Sequence, residues 1–396
     1  MMRSSIGLLS LLGVVLFALV WAAGCGEKAA EAPGPGEGVS GKPFVIGAMF
    51  AVTGDASSLG IPEKKTAEML EKMINADGGI NGRPLEIVIE DTKGEEAEAL
   101  KAARRLVEAN EVLAIVGPSR TGTTLAVMDY VERAEVPMIS CAAGVDIVEP
   151  VKKWVFKTPQ TDRMAIEKII EHLRENKITR IAFMGDNTEF GKRGARETEK
   201  LMLAAGIKVV AREEYAPRDT SMEQQLAKIG ETKAQAVVCW GTPPGAAIVA
   251  RNMRQLGMEM PLICSHGVAN EAFLKVAGEA ANGVVLPAGR LVVLDQIAAE
   301  DPQRPVLEDY ADKYKTEAGS PADSFGGYAW DAIQLAVSAI GQAGEDRAAI
   351  RDAIEGTSDF LGASGVFSFS AEDHNGLTKD AFVMVKVVEG KWRLVH

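Results

Sequence analysis

Residues 112–140 read VLAIVGPSRTGTTLAVMDYVERAEVPMIS, and this stretch decides the fold class. It begins with the apolar run 112–116 and ends with a second one, 136–140, and neither alternates with polar residues. Continuous apolar runs of this length are typical of strands buried on both faces of a parallel sheet. Between them, a loop rich in Gly, Ser and Thr leads into a segment with helix chemistry. The stretch therefore predicts a strand–helix–strand unit of an α/β fold.

The same alternation continues on both sides of this unit. Eight further runs read as strands: 44–50, 85–90, 154–157, 180–184, 208–210, 236–240, 261–264 and 283–286. About ten strands are too many for one comfortable twisted sheet, so we predict a doubly wound α/β protein with two lobes. Three helical stretches and two β-like runs complete the chain: 306–317, 328–341, 347–355, 365–369 and 381–388.

The first residues read as an export signal. Arg3 precedes an apolar run, 6–21, and three small residues, 22–24, lead to Cys25. This order describes a secretory signal peptide at 1–24, and the apolar run is too short for a stable membrane span. A cysteine directly after the small residues resembles the lipobox of bacterial lipoproteins, which implies a lipid on the Cys25 thiol. The alternative is an ordinary signal peptide with an incidental cysteine.

Residues 26–41 are rich in Gly, Ala, Pro and Glu and have no apolar periodicity. Such a stretch buries too little surface to offset its ordering entropy. We therefore predict a lipid anchor and flexible tether at 25–42. This arrangement predicts an exported protein in the periplasm or at the cell surface, held to a membrane through Cys25.

Charge and cysteine content exclude several classes of function. The 396 residues carry 43 Lys and Arg against 55 Asp and Glu, a net charge of −12. Nucleic-acid binding needs a basic surface and is not expected. Cys141, Cys239 and Cys264 lie in or beside apolar runs without metal-ligand spacing, so we interpret them as buried thiols with at most one disulfide. No metal and no cofactor is expected.

Ligands of open α/β sheets sit beyond the carboxyl ends of strands, where helix N-termini present free N–H groups. The candidate loops are 52–60, 117–124, 141–146, 185–191, 241–245 and 265–269. Loop 117–124 has the G-x-x-x-x-G spacing of a phosphate loop, but Thr123 stands where that motif requires lysine. Its hydroxyls and N–H groups favour binding of a single carboxylate instead. The alternative for each of these residues is that its hydroxyl only caps the following helix.

Enzyme motifs are missing from the sequence. It contains no G-x-S-x-G, no H-E-x-x-H and no G-x-G-x-x-G after the first strand. Of the four histidines, only His266 lies at the carboxyl end of a predicted strand. A single histidine without a nucleophile partner is typical of a binding or structural group. We therefore predict a binding protein and not an enzyme.

Ordered motifs across residues 43–396 resemble the leucine/isoleucine/valine-binding protein type of periplasmic solute receptor. They are IGA at 46–48, TG at 53–54, INADGGINGR at 74–83, ED at 90–91, IVGP at 115–118, VPMIS at 136–140, RQLG at 254–257 and YAWDA at 328–332. The resemblance implies a type I periplasmic binding fold, in which two Rossmann-like lobes joined by a three-crossover hinge close around a ligand. The implied first lobe covers 43–158 and 287–361, and the second covers 159–286 and 362–396.

The same resemblance implies a partner and a set of site residues. The partner is the membrane permease of an ABC importer, which would recognise the ligand-loaded monomer by its closed shape. Amino-acid-binding members hold the ligand carboxylate with a hydroxyl at the position of Thr121, helped by backbone near Ala142. The residues predicted to bind ligand are Ser119, Arg120, Thr121, Ala142, Ala143, Gly144, Phe190, Trp240, Thr242 and His266.

Two departures from the family pattern bear on the ligand. Gly144 stands where a second hydroxyl binds the ammonium of an amino acid, and His266 stands where a glutamate does. A histidine cannot neutralise an ammonium, and an unpaired buried charge is expensive. We therefore expect an aromatic or branched aliphatic acid without a free ammonium, held by Thr121, Arg120 or His266.

The apolar part of that acid would pack against Phe190, at the position of the family's covering aromatic ring, and against Trp240. Two alternatives stay open. The ligand is a branched-chain or other hydrophobic amino acid, or the protein is a sensor that regulates a partner instead of feeding a permease.

Overall fold

A computed structural model describes residues 39–395, in which strands and helices alternate. The strands are β1 (Phe44–Phe50), β2 (Leu85–Asp91), β3 (Ala114–Val116), β4 (Met138–Ser140), β5 (Val155–Lys157), β6 (Arg180–Asp186), β7 (Lys208–Tyr215), β8 (Ala236–Trp240), β9 (Leu262–Cys264), β10 (Val285–Gly289), β11 (Phe360–Leu361), β12 (Val366–Phe367), β13 (Phe382–Val388) and β14 (Lys391–Leu394). The α-helices are α1 (Ser57–Ala76), α2 (Glu96–Arg104), α3 (Thr121–Ala134), α4 (Asp162–Glu175), α5 (Glu189–Ala204), α6 (Glu223–Gly230), α7 (Gly245–Gln255), α8 (Glu271–Ala277), α9 (Arg304–Ala318), α10 (Ser324–Ala343) and α11 (Arg347–Glu355).

The first sheet contains five parallel strands in the order β2-β1-β3-β4-β5. Its short central strands, β3 and β4, are buried along their whole length, as their unbroken apolar sequence predicts. Helices α1 and α10 pack on one face, and α2 and α3 pack on the other. This sheet and its helices form what we call the first lobe.

The second sheet contains seven strands in the order β14-β13-β10-β9-β8-β6-β7. Strands β6 to β10 are mutually parallel, while β13 and β14 join as antiparallel strands at one edge. Helices α4 and α5 cover one face, and α6, α7 and α8 cover the other. This sheet and its helices form the second lobe.

The chain passes between the two sheets three times. It leaves the first sheet after β5, returns after β10 to build the helices that pack near α1, and leaves again before β13. The predicted fold class, two doubly wound α/β lobes, is therefore confirmed. The residue numbers at which we placed the lobe boundaries stay predictions.

The boundaries of some strands differ from the sequence prediction. Strand β7 extends to Tyr215, well beyond the predicted 208–210, and β14 was not predicted. Both strands lie at the edges of the second sheet. Edge strands are partly exposed, so they carry charged residues such as Arg212 and Lys391, and a search for continuous apolar runs misses them.

Several sequence predictions concern the N-terminus or the cysteines. The signal peptide, Cys25 and nearly all of the tether lie outside the described residues. Within 39–395, no helix combines the length and the apolar character that crossing a membrane requires. Cys141, Cys239 and Cys264 are buried free thiols, which agrees with their apolar sequence context.

Candidate functional site

A cavity lies between the two lobes at the carboxyl ends of their strands. Its walls come from loops that follow β3 and β4 in the first lobe and β6, β8 and β9 in the second. The lining residues are Leu59, Ser119, Arg120, Thr121, Cys141, Ala143, Pro159, Asp186, Thr188, Phe190, Thr242, His266, Gly267, Phe325 and Tyr328. Ligands of parallel α/β sheets are expected at this edge.

Seven of the ten residues predicted to bind ligand line this cavity: Ser119, Arg120, Thr121, Ala143, Phe190, Thr242 and His266. Ala142, Gly144 and Trp240 do not. The Trp240 indole is fully buried behind the cavity wall, with ring centroids 5.8 Å from Phe190 and 6.0 Å from His266. Trp240 therefore supports the wall, and the prediction that it packs directly against the ligand is not supported by this geometry.

Thr121 begins helix α3 and presents a hydrogen-bond donor to the cavity. Its Oγ1 accepts the N–H of Gly144 at 3.3 Å, so the hydroxyl hydrogen remains available for a ligand. The preceding residue, Arg120, caps the helix without a side-chain hydrogen bond, which leaves the first N–H groups of α3 free. Free N–H groups and the helix dipole favour a carboxylate at this point.

Gly144 acts on the site through Thr121. A Cβ on residue 144 would lie 2.4 Å from Thr121 Cγ2 and 3.1 Å from its Oγ1. Glycine is therefore needed for the position that Thr121 adopts. This close packing of Gly144 against Thr121 was not apparent from the sequence.

Ser119 lines the cavity, but its hydroxyl is already engaged. It donates to Glu63 Oε2 in helix α1 and accepts the N–H of Ala51 at 3.0 Å. Burial raises the pKa of Glu63 well above its usual value. Ser119 therefore joins the loop to the rest of the first lobe, and Thr121 is the better placed hydroxyl for a ligand.

His266 lies in the part of the cavity wall that belongs to the second lobe, and the residue is 3% exposed. Neither ring nitrogen has a hydrogen-bond partner among the described residues. Burial, together with the positive charge of Lys157, lowers the pKa of His266 to about 3. The imidazole is therefore neutral at physiological pH and offers a ligand one donor and one acceptor.

Lys157 and Asp162 are fully buried titratable residues behind the wall at Ala143. Lys157 Nζ donates to the carbonyl of Ala143 at 2.8 Å. Burial lowers the pKa of Lys157 and raises the pKa of Asp162, and the electrostatic attraction between the two groups opposes both shifts. These residues lie where the chain leaves the first lobe, beside the cavity but not on its surface.

Asp186 is a charged cavity residue that the sequence prediction did not include. It is the last residue of β6, is 3% exposed, and lines the second-lobe wall. Its Oδ1 accepts the N–H and the hydroxyl of Thr188 at 3.0 and 2.5 Å. Burial raises the pKa of Asp186, while the Thr188 hydrogen bonds and the charge of Arg120 oppose the rise. The loop 185–191 was identified from the sequence, but the position of the Asp186 carboxylate in the cavity wall was not.

Other lining residues were also missed. Leu59 and Phe325 are apolar, and Tyr328 donates its hydroxyl to Gln160 Oε1 at 3.4 Å. Tyr328 is the first residue of the YAWDA motif, so the sequence did mark this position. It did not show that the tertiary fold brings helix α10 to the cavity. Among the described residues no cluster of His, Cys, Asp and Glu suits a metal ion.

Known proteins share both the sequence pattern and the fold. A family model described as periplasmic binding protein matches residues 43–391. The leucine-, isoleucine-, valine-, threonine- and alanine-binding protein of Pseudomonas aeruginosa is 28% identical over 298 residues, 74% of this chain and 77% of that protein. Leu/Ile/Val-binding protein homolog 3 of Brucella melitensis is 24% identical over 352 residues, 88% of this chain and 92% of that protein.

Solved structures agree with these relatives. An extracellular ligand-binding receptor from Rhodopseudomonas palustris HaA2 superposes with a TM-score of 0.85 at 26% identity, covering 90% of this chain and 100% of that one. The branched-chain amino acid transporter substrate-binding protein LivJ of Streptococcus pneumoniae, solved with isoleucine, gives 0.80 at 26% identity, covering 89% and 98%. The resemblance to the leucine/isoleucine/valine-binding type is confirmed. Because the family match spans nearly all of the described residues, this chain belongs to the periplasmic binding protein family, a family of solute-binding proteins and not of enzymes.

Proposed function

We propose that this chain is an exported solute-binding lipoprotein that captures a small carboxylate and delivers it to the permease of an ABC importer. The observation that supports this most directly is the cavity between the lobes, with Thr121 and the N-terminus of α3 in its wall. A ligand that contacts both lobes favours the closed arrangement, because it gains contacts there that the open one lacks. The closed monomer would then be the form that a permease recognises.

The chemistry of the cavity supports a carboxylate with an apolar side chain. Thr121 and the free N–H groups of α3 suit the carboxylate, while Leu59, Phe190 and Phe325 provide apolar walls. An aromatic or branched aliphatic acid fits this description, and so does a branched-chain amino acid. The names of the relatives favour the amino acid. The neutral His266 favours the simple acid, since it carries no charge to balance an ammonium.

Isothermal titration calorimetry of the purified, ligand-free body tests carboxylate capture. The ligands are leucine, phenylalanine, 4-methylpentanoate, 3-phenylpropanoate and benzoate. We expect saturable binding of at least one of them and no binding of leucinamide, which lacks the carboxylate. Binding of leucinamide as tight as that of leucine, or no binding of any of the five, would contradict the proposal.

The lipid anchor is proposed from Cys25 alone. Cys25→Ser removes the thiol that would be acylated, so the exported protein should move from the membrane fraction to the soluble fraction. One lipid chain binds membranes only marginally and two bind stably, so the shift should be nearly complete if the cysteine carries the usual set of chains. An unchanged membrane fraction would show that Cys25 is not the anchor.

A further inference from the structure

We infer that His266 binds a neutral hydrogen-bonding group of the ligand, a hydroxyl or an amide, at the end of the ligand away from its carboxylate. This inference rests on the proposed function, because it names a second polar group on an acid whose carboxylate binds near Thr121. It assigns to His266 a group that is neither the ligand carboxylate nor an ammonium.

The first support is the isolation of the imidazole. His266 lines the cavity and is buried, yet neither Nδ1 nor Nε2 has a hydrogen-bond partner among the described residues. A neutral imidazole carries one N–H donor and one acceptor nitrogen, and burying either of them without a partner costs free energy. A ligand group that pairs with one of these nitrogens removes part of that cost, which an apolar group cannot do.

The second support is the aromatic environment of the imidazole. Three aromatic rings have centroids 5.3, 5.8 and 6.0 Å from that of His266, and they belong to Phe382, Phe190 and Trp240. The adjacent hydroxyl, on Ser265, is already engaged, since it donates to the carbonyl of Gly241 at 3.1 Å and accepts the N–H of Gly267 at 3.3 Å. The imidazole is therefore set among aromatic rings, and the hydroxyl next to it in the chain pairs elsewhere.

The third support is the charge around His266. Burial and the positive charge of Lys157 both lower the pKa of His266, to about 3, so the imidazole is neutral. A neutral imidazole cannot balance a ligand ammonium, and the charge of Lys157 opposes one.

A second ligand carboxylate is disfavoured at His266 as well. Lys157 Nζ donates to the carbonyl oxygens of Ala143 and Gln160 at 2.8 and 3.4 Å, and the residue does not line the cavity. A second carboxylate would therefore be buried at His266 without an ion-pair partner on the cavity surface there. A hydroxyl or an amide carries no net charge and can both donate and accept, so it suits either tautomer of His266.

The fourth support is the distribution of polar and apolar residues over the cavity wall. Thr121 and the N-terminus of α3 belong to the first lobe, and His266 belongs to the second. Apolar side chains line the wall in both lobes, Leu59 and Phe325 in the first and Phe190 in the second. The ring of Phe190 meets that of His266 edge-on, at an interplanar angle of 81°. A ligand that spans the cleft therefore finds partners for a carboxylate, for an apolar body and for a hydroxyl or amide.

Matched ligand pairs and two substitutions test this inference by isothermal titration calorimetry of the purified, ligand-free protein. The pairs are 3-(4-hydroxyphenyl)propanoate with 3-phenylpropanoate, 6-hydroxyhexanoate with hexanoate, and adipamate with hexanoate. In the wild type at least one polar member should bind about tenfold more tightly than its parent acid, the effect of one hydrogen bond to an otherwise unpaired group. His266→Leu removes both nitrogens, so this affinity ratio should fall to about one. His266→Gln keeps a donor and an acceptor and should retain part of the preference.

The affinity ratio separates recognition from structural damage, because a distorted wall weakens binding of both members of a pair. His172→Leu is the matched control, since it removes a histidine of helix α4 that does not line the cavity. It should change the ratio by less than about twofold.

Three results overturn the inference and leave carboxylate capture standing. They are equal affinities within every pair in the wild type, an unchanged ratio in His266→Leu, and tighter binding of 3-(4-carboxyphenyl)propanoate than of the 4-hydroxyphenyl acid, which would place an anion at His266. If no carboxylate binds at all, the proposed function fails and this inference fails with it.

Discussion

Asp55 Oδ2 and Arg218 Nε lie 2.7 Å apart across the mouth of the cleft, where the loop after β1 meets the loop after β7. Two further ion pairs between the lobes have the same arrangement of charges. Asp146 pairs with Arg193, and Glu149 pairs with Arg163 at 2.6 Å. In each case the carboxylate belongs to the first lobe and the arginine to the second. We call these contacts the interlobe ion pairs. Because each places a first-lobe carboxylate against a second-lobe arginine, opposite charges face each other across the cleft and favour closure over lateral displacement of the lobes.

The interlobe ion pairs predict that ligand affinity depends on salt. Affinity scales with the fraction of protein that can close, and these exposed pairs favour closure more at low ionic strength. Arg218→Gln should weaken binding by at most about fivefold in dilute buffer, and the difference from wild type should shrink at about 1 M salt, where screening acts over about 3 Å. Calorimetric titrations at two salt concentrations measure this.

A charge removed within one lobe provides the control for that experiment. Lys64 pairs with Glu68 along helix α1 and does not reach the second lobe. Lys64→Gln changes the net charge by the same amount as Arg218→Gln, so its salt dependence should match that of the wild type. Identical behaviour of the two variants would show that the Asp55–Arg218 pair does not contribute to closure.

Thr121 should contribute the side-chain hydroxyl for the ligand carboxylate. Thr121→Val keeps the shape of the side chain and removes the donor, so affinity for every carboxylate ligand should fall about tenfold to a hundredfold. Thr121→Ser should retain most of it. Thr123→Val is the matched control, because the Thr123 hydroxyl donates to the Arg120 carbonyl at 2.9 Å instead of facing the cavity. Equal losses for the Thr121 and Thr123 valine variants would contradict this role.

Gly144 should act on affinity only through Thr121. In Gly144→Ala the new methyl would meet Thr121 Cγ2 at 2.4 Å, so Thr121 must move and binding must weaken. Thr121→Ser lacks that methyl, so the double variant should regain part of the affinity that Gly144→Ala loses, which a double-mutant cycle measures. Gly230→Ala meets nothing within 4 Å and serves as the control. Simple additivity of the two substitutions would disprove the coupling.

The fold was predictable because its signals are local. Continuous apolar runs such as β3 and β4 show burial on both faces without any knowledge of their neighbours, and the loops after them mark the ligand edge. The position of Thr121 and His266 at that edge followed from the same rule. Edge strands, whose composition depends on what covers them, were the part that this rule missed.

The details of the site were not predictable because they depend on contacts distant in sequence. Ser119 is engaged by Glu63, 56 residues away, and no pattern in the loop shows it. Trp240 could face either side of β8, and only the packed structure shows that it packs against Gly194 of α5, where a Cβ would lie 2.2 Å from the indole nitrogen. Asp186 lines the cavity while its Oδ1 accepts hydrogen bonds from Thr188, an arrangement that the sequence does not show.

The depressed pKa of His266 predicts a component of stability that depends on pH. The folded pKa, about 3, lies below the unfolded value of 6.5, so between these values the unfolded state binds a proton that the folded state does not. This component is therefore complete above pH 6.5 and is lost progressively as the pH falls toward 3. Between pH 7 and 4.5 it amounts to about 2 kcal/mol of the free energy of unfolding.

Urea unfolding of the wild type and of His266→Gln at pH 7 and pH 4.5 isolates this component. Other buried acids, such as Asp323 and Asp331, titrate near pH 7 in both proteins, so the difference between the two proteins is the quantity to compare. The wild type should lose about 2 kcal/mol more than the variant on acidification. His172→Gln, at a half-buried site, should give a smaller difference, because burial lowers the pKa of His172 less. An equal loss in wild type and His266→Gln would mean that His266 is protonated in the folded state, and the cavity would then carry a positive charge opposite Thr121.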